Sequence, residues 1–161
     1  MSLKEIAMET LGNFDPAKDN PNGQGNIPVG EYDVIVEKAG HVVYESGYDC
    51  VAITCKVVGG EYDNRNELIN INVDPETESY KKYPFLLSKN IKMISQLAFA
   101  CDINLSDDDW EDQLSLGDAF AKEAVGKQFV LEITESKNKK DPSNPYRNYQ
   151  FLKYAEDELP F

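Results

Sequence analysis

Histidine is all but missing: His41 is the only one in 161 residues. With no second histidine and no Cys–Asp cluster beside it, Cys/His and multi-histidine metal centres are excluded. His41 itself is expected on a half-exposed strand with no chemical role. The chain also lacks a GxxxxGK[ST] phosphate loop, a GxGxxG turn and a GxSxG nucleophile elbow. Gly23-Gln24-Gly25 is a loop pair without the strand and helix such a motif needs. Asp107, Asp108 and Asp109 are the one acidic run suited to Mg²⁺, and adjacent acids at a helix start more often serve as caps and solvation. No enzyme activity and no cofactor are expected.

Cysteine is scarce and odd in number. Cys50, Cys55 and Cys101 fit a reducing compartment, where no bridge is required. Cys50 and Cys55 lie five apart in a strand-like run and so point to opposite faces, against both a mutual disulfide and a shared metal. They read as small semi-buried hydrophobes. No apolar run reaches about 18 residues, the length of a membrane span, and MSLKEIAMET lacks the apolar stretch of an export signal. A cytoplasmic protein with no membrane partner is expected. Basic residues are also few, 16 against 29 acids, for a net charge of −13. Taken as a whole, such a surface repels nucleic acid.

Hydrophobic content of 41% and aromatic content of 11% are too high for a disordered chain. One domain with its own core is expected. Residues 1–27 read as a flexible arm: a short helical piece (Leu3, Ile6, Ala7, Leu11) followed by a segment dense in Gly, Pro and Asn. Residues 28–154 read as the domain and 155–161 as a separate acidic tip. Alternation at Tyr32, Val34 and Val36 predicts a first strand that continues through His41–Tyr44. Tyr48–Val58 and Glu67–Val73 follow as the second and third strands. DPETESYKKYP is then a polar connection. Leu87, Ile91, Ile94, Ala98 and Cys101 fall at steps of four, three, four and three, the apolar stripe of a helix, with Lys89, Lys92 and Gln96 on the opposite side. Ser106 is expected to cap a second helix, and Asp118 a third that Gly126 ends. Phe129, Leu131 and Ile133 mark a fourth strand. In the fifth, Tyr149, Phe151 and Lys153 share one face.

Strand, strand, strand, helix, strand, strand is the element order of an OB-fold, a mainly β, five-stranded, partly open barrel with a helix between strands 3 and 4. An open α+β sheet is the alternative.

The charge is segregated. Asp102, Asp107, Asp108, Asp109, Glu111 and Asp112 form an acidic stretch without a base, whereas Ser136–Tyr154 carries Lys137, Lys139, Lys140, Arg147 and Lys153 against Asp141 alone. Aromatic rings interleave with these bases at Tyr146, Tyr149 and Phe151. Tyr80, Lys81, Lys82 and Tyr83 repeat the pattern after the third strand. Tyr48, Lys56 and Arg65 are candidates to line the open face of strands 2 and 3. Rings that stack bases and cations that follow phosphates are how single-stranded nucleic acid is held without sequence preference. In an OB-fold that face and the loops joining strands 1–2 and 4–5 make the binding surface. DNA and RNA are not distinguished by stacking.

The last residues, AEDELPF, resemble the C-terminal tip of bacterial and bacteriophage single-stranded-DNA-binding proteins, which end in acids followed by Ile or Leu, Pro and Phe. Glu156, Asp157, Glu158, Leu159, Pro160 and Phe161 match that pattern. The resemblance implies that the tip docks into replication or recombination proteins. Pro160 keeps Leu159 extended, which lowers the ordering cost, and Phe161 suits an apolar pocket. In the body, PVGEY at 28–32, VGGEYDNR at 58–65 and YQF at 149–151 resemble a phage-encoded family of uncharacterised proteins, taken to be OB-fold single-stranded-DNA binders of replication modules. That resemblance implies a phage protein acting in the cytoplasm of a bacterial host. The segment Gly40–Gly47 departs from the expectation of a basic binding loop: it has no lysine, and Tyr44 is its one candidate for a base contact. Two rival classes are an acidic DNA mimic that inhibits a host nucleic-acid enzyme, which the basic segment and apolar tip fit poorly, and a small nuclease. Self-association through an edge strand is compatible with the sequence.

Overall fold

The computed structural model of the chain describes residues 2–12 and 26–154. In chain order the elements are α1 (Leu3–Leu11), β1 (Gly30–Val43), β2 (Asp49–Val57), β3 (Asn66–Ile71), α2 (Glu78–Lys82), α3 (Pro84–Ala100), α4 (Gln113–Glu123), β4 (Gln128–Ser136) and β5 (Tyr146–Leu152). Helices occupy about as many described residues as strands, so the protein is a mixed α and β fold rather than a mainly β one. Among the described residues no helix is long and apolar enough to cross a membrane.

The five strands form a single antiparallel sheet in the order β3-β2-β1-β4-β5. β1 is its spine. Its first half, Gly30–Ile35, pairs with β4, and its second, from Val34 onward, pairs with β2. A register shift between Val36 and Lys38 leaves Glu37 as the extra residue of a bulge, the device that bends a strand and strengthens its twist. There the chain leaving α4 ties in: Gly126 N–H donates to the Val36 carbonyl at 2.9 Å and Val36 N–H to the Lys127 carbonyl at 2.9 Å. Strands β3 and β5 are the two edges, with no ladder joining them, so the sheet is not closed into a barrel.

The inner face follows the alternation in the sequence. Val34, Val36, Ile53, Cys55, Ile69, Ile71, Phe129, Leu131, Ile133 and Phe151 are buried together, covered by Ile94, Leu97 and Ala98 of α3 and by Leu116 and Phe120 of α4. Phe129 and Phe151 meet edge to face at 5.6 Å, a favoured ring geometry. α4 approaches β1 so closely that a Cβ on Gly117 would lie 2.4 Å from the His41 backbone nitrogen; only glycine fits there.

Four local expectations need correction. The DPETESYKKYP connection contains a helix, α2, begun at Thr77. Ser106 caps only a 3-10 turn over Asp108–Glu111, accepting from Asp109 N–H at 3.2 Å. The cap of α4 is Asp112, whose carboxylate accepts from Ser115 N–H at 2.8 Å, and Asp118 lies inside the helix. Ile27, expected in the arm, is buried in the core.

Candidate nucleic-acid interface

The outward face of the sheet is assembled at the β1–β2 turn. Gly47, at φ 90°, allows the chain to reverse. Tyr44 N–H donates to the Tyr48 carbonyl at 2.9 Å and Gly47 N–H to the Tyr44 carbonyl at 2.8 Å. The closed turn sets the Tyr44 and Tyr48 rings 6.3 Å apart at 21°, nearly parallel. Tyr44 donates its hydroxyl to Asn70 Oδ1 of β3 at 2.8 Å, which pins its ring across the sheet. Tyr48 is 45% exposed; partial burial, then its neighbours Cys50, Tyr80 and Tyr44, push its phenol above the ordinary value. Tyr80, from α2, donates to the Asn72 carbonyl at 2.6 Å and accepts from Asn90 at 2.9 Å. Its hydroxyl is therefore committed, and Asn72 Nδ2 in turn donates to the carbonyl of Asp49, the residue after Tyr48, at 2.8 Å.

By strand alternation Lys56 is on the outward side of β2, opposite Asn66, with Leu68 exposed on β3. In the β2–β3 turn the Arg65 guanidinium lies 6.0 Å from the centre of the Tyr62 ring, which meets Tyr32 edge to face.

β5 divides the candidates by parity. Phe151 is 1% exposed; it is a core residue with no free face for a base. Arg147 is likewise structural. Its side chain is 15% exposed and that of Glu67, on β3, 5%. Arg147 Nε donates to Glu67 Oε1 at 2.9 Å and an Nη to Oε2 at 3.0 Å, a bidentate pair; the same Nη donates to the Ile27 carbonyl. Tyr149 adds its hydroxyl to Glu67 Oε1 at 2.7 Å. Burial, and then this bond to a carboxylate, hold the Tyr149 phenol well above its ordinary value. These three side chains bridge the two sheet edges in place of a main-chain ladder. Tyr146, by contrast, is exposed at the base of the β4–β5 loop.

The remaining cations fall into two groups. Lys137, Lys139 and Lys140 are exposed in that loop, which Asn138 shapes by donating to the Asn144 carbonyl at 3.1 Å and accepting from Lys140 and Asp141 N–H. Lys81 is drawn to Glu76 and Glu78. Lys82 lies over the Tyr83 ring at 5.4 Å. Lys153 pairs with Asp102 and also lies over the Phe99 ring at 5.1 Å. The tip residues Glu156, Asp157, Glu158, Leu159, Pro160 and Phe161 lie outside the described residues.

The Val43 end of β1, which runs into the Tyr44–Tyr48 turn, has the other sign. His41 Nε2 is 2.6 Å from Asp49 Oδ1, which also accepts from Gln113 Nε2 at 3.0 Å. This cluster borders a cavity of about 520 Å³ that includes Asp74, Glu111 and Asp112 and no lysine or arginine. His41 therefore has a hydrogen-bonded structural place, and the acids gather away from the basic loop. Among the described residues no three His, Cys, Asp or Glu side chains are grouped to hold a metal.

Sequence reasoning passed over Phe85 and Phe99, two exposed rings on α3. Their spacing from Lys89, Lys92 and Gln96 is the signal that could have found them. No curated protein matches the chain. One family profile does, over residues 12–160, and the chain belongs to that family, described as a protein of unknown function, DUF669.

Proposed function

We propose that the protein binds single-stranded DNA without reading its sequence, on an OB-type barrel left open at one seam, in the replication or recombination of a bacteriophage. The sheet order, with edges β3 and β5 bridged by Glu67, Arg147 and Tyr149, supports that architecture. The observation that carries the function is the near-parallel Tyr44–Tyr48 pair on the outward face of the sheet, with Tyr48 exposed and Tyr44 half-buried. A base stacks on such a ring whatever its identity. The pair belongs to the strand 1–2 connection, and Lys137, Lys139 and Lys140 to the strand 4–5 connection, the two loops that flank an OB-fold binding face. The acidic cavity lined by His41 and Asp49 lies at the same end of β1 as the Tyr44–Tyr48 pair and away from the basic loop; its carboxylates disfavour phosphate there, so the backbone of a strand is expected to run from the pair toward the basic loop. The tip, with three acids ahead of Leu159, Pro160 and Phe161, is assigned to docking on partner enzymes.

The test is a titration of a fluorescent oligo-dT of about 20 nucleotides against the full chain at several salt concentrations. Saturable binding is expected, with a log–log salt slope near −0.7 per phosphate contact. The double variant Y44A/Y48A should lose about 1–3 kcal/mol for each base released. No retention of the oligonucleotide in dilute buffer overturns the reading, and Mg²⁺-dependent cleavage of it would replace binding with nuclease activity.

A further inference from the structure

α3 carries two stripes at one spacing. The first, Leu87, Ile91, Ile94, Ala98 and Cys101, runs along the core side, with Ile94, Ala98 and Cys101 buried, Leu87 half-buried and Ile91 39% exposed. The second, Phe85, Lys89, Lys92, Gln96 and Phe99, advances by the same steps of four, three, four and three on the other side. Its ends are two large apolar rings in solvent, Phe85 65% and Phe99 66% exposed. Isolated exposed apolar residues need no explanation, but aligned ones do. By helix rise they stand about 21 Å apart with both lysines between them.

Each end has its own cation. Tyr83 meets Phe85 edge to face at 6.0 Å, with the Lys82 ammonium over the Tyr83 ring. The Lys153 ammonium is over Phe99. α3 lies alongside β5: Lys89 Nζ donates to Asn148 Oδ1 at 3.1 Å and Gln96 Oε1 accepts from Phe151 N–H at 2.8 Å. The groove between them, about 450 Å³, has Lys89 and Lys92 as its only charged lining residues. In a chain of net charge −13 this is a local inversion of sign. It is also tied toward the sheet-face turn: Tyr80 of α2 donates to the Asn72 carbonyl and Asn72 Nδ2 donates to the carbonyl of Asp49, the residue after Tyr48, and Tyr83 ends α2 and starts α3.

We infer that the outward stripe of α3 is a second track for single-stranded nucleic acid, continuing the sheet-face site across α2 and along the helix. It rests on the function proposed above. Bases stack on the Tyr83–Phe85 pair at one end and on Phe99 at the other. Lys89 and Lys92 take the phosphates between them. A strand long enough to cover both surfaces is held by both; a short one is held by the sheet face alone.

The experiment titrates oligo-dT of about 6 and about 20 nucleotides against full-length wild type, K89E/K92E and F85A/F99A, with thermal melts to establish that each variant is folded. Exposed positions leave the core intact. For the long oligonucleotide, K89E/K92E should bind at least tenfold more weakly, with a salt slope shallower by about 1.4. F85A/F99A should also weaken it about tenfold. Both variants should bind the short oligonucleotide as wild type does. If wild type binds neither, the proposed function falls and this track with it. If wild type binds and the variants match it on the long strand, the track is overturned while the sheet-face site stands. The same titration in a full-length E156Q/D157N/E158Q background separates a strand from the chain's own acidic tip. Loss of the K89E/K92E effect there would mean that the stripe acts on the tip, and would overturn the inference.

Discussion

Two regions of this protein use the same residue types for opposite ends. At the seam between β3 and β5, an arginine, a tyrosine and a glutamate are withdrawn from water and hold two sheet edges together. On the sheet face and along α3, tyrosines, phenylalanines and lysines reach solvent and contact one another rather than a buried acid. A basic-aromatic composition does not separate the two. A buried carboxylate does: Glu67 lies within hydrogen-bond distance of Arg147 and Tyr149, and no acid lines the groove beside Lys89 and Lys92. A cation next to a ring is available to a ligand only where no acid has already satisfied it.

The sharpest way to break this comparison is to remove that acid. In E67Q the Arg147 charge keeps its buried place but loses its bidentate counter-charge, with Glu135 left at 3.9 Å on its half-exposed side. Breaking such a pair costs about 3–5 kcal/mol, at the lower end here because Arg147 retains some exposure. Urea unfolding should show a lowered midpoint. The paired replacement E67L/R147M should recover most of the loss, since two apolar side chains leave no charge stranded. If E67Q is as stable as wild type, the seam contributes nothing to closure and the contrast with the exposed faces disappears.

Much of the fold was legible, because alternation and helical period report directly on burial. All five strands fall where those periods place them; of the α3 stripe, Ile94, Ala98 and Cys101 are buried, whereas Ile91 is exposed. α2 was not, since a five-residue polar helix has no stripe to detect. The cap of α4 was misassigned because Asp112 and Asp118 each precede apolar residues at plausible spacing. Less of the site was legible. Arg147 and Glu67 are 80 positions apart, and only the folded sheet reveals that they meet. Phe151 looked like a ring among bases until its neighbour Phe129 was known. Phe85 and Phe99 were readable in principle, by the spacing that identified the buried stripe, but a search for core residues looks at one side of a helix.

A smaller effect comes from alkaline pH. Burial pushes the Cys101 thiol from its ordinary 9.0 up to about 12. Tyr149 and Tyr154 are held above 10.0, by burial first and then by hydrogen bonds to Glu67 and Asp33. The folded chain keeps these protons at a pH where the unfolded chain releases them. Stability is therefore fully present below about pH 9 and declines as pH rises past 9 to 10 toward the folded values. Melting temperature followed from pH 8 to 11 should stay flat and then fall. In Y149F the descent should be shallower, because one of the raised groups no longer titrates. A flat profile to pH 11 would mean that these groups are as accessible to water as in the unfolded chain.

The smallest change in stability is expected at Tyr146, three residues from Tyr149 on the same strand. Tyr146 is more than half exposed, so Y146A should leave stability within about 0.5 kcal/mol of wild type. It should nevertheless weaken oligo-dT binding, by about 1–3 kcal/mol if the ring carries one base. Y149F should do the reverse. Losing the donor to Glu67 costs about 1.5–3 kcal/mol of stability, the range for a hydrogen bond to a charged group, and leaves the affinity for DNA unchanged. Because the two variants sit on one strand and change one side chain each, a crossed outcome isolates parity as the cause. Y146A unfolding the chain, or Y149F releasing the oligonucleotide while still folded, would mean that β5 does not sort its side chains into a seam and a face.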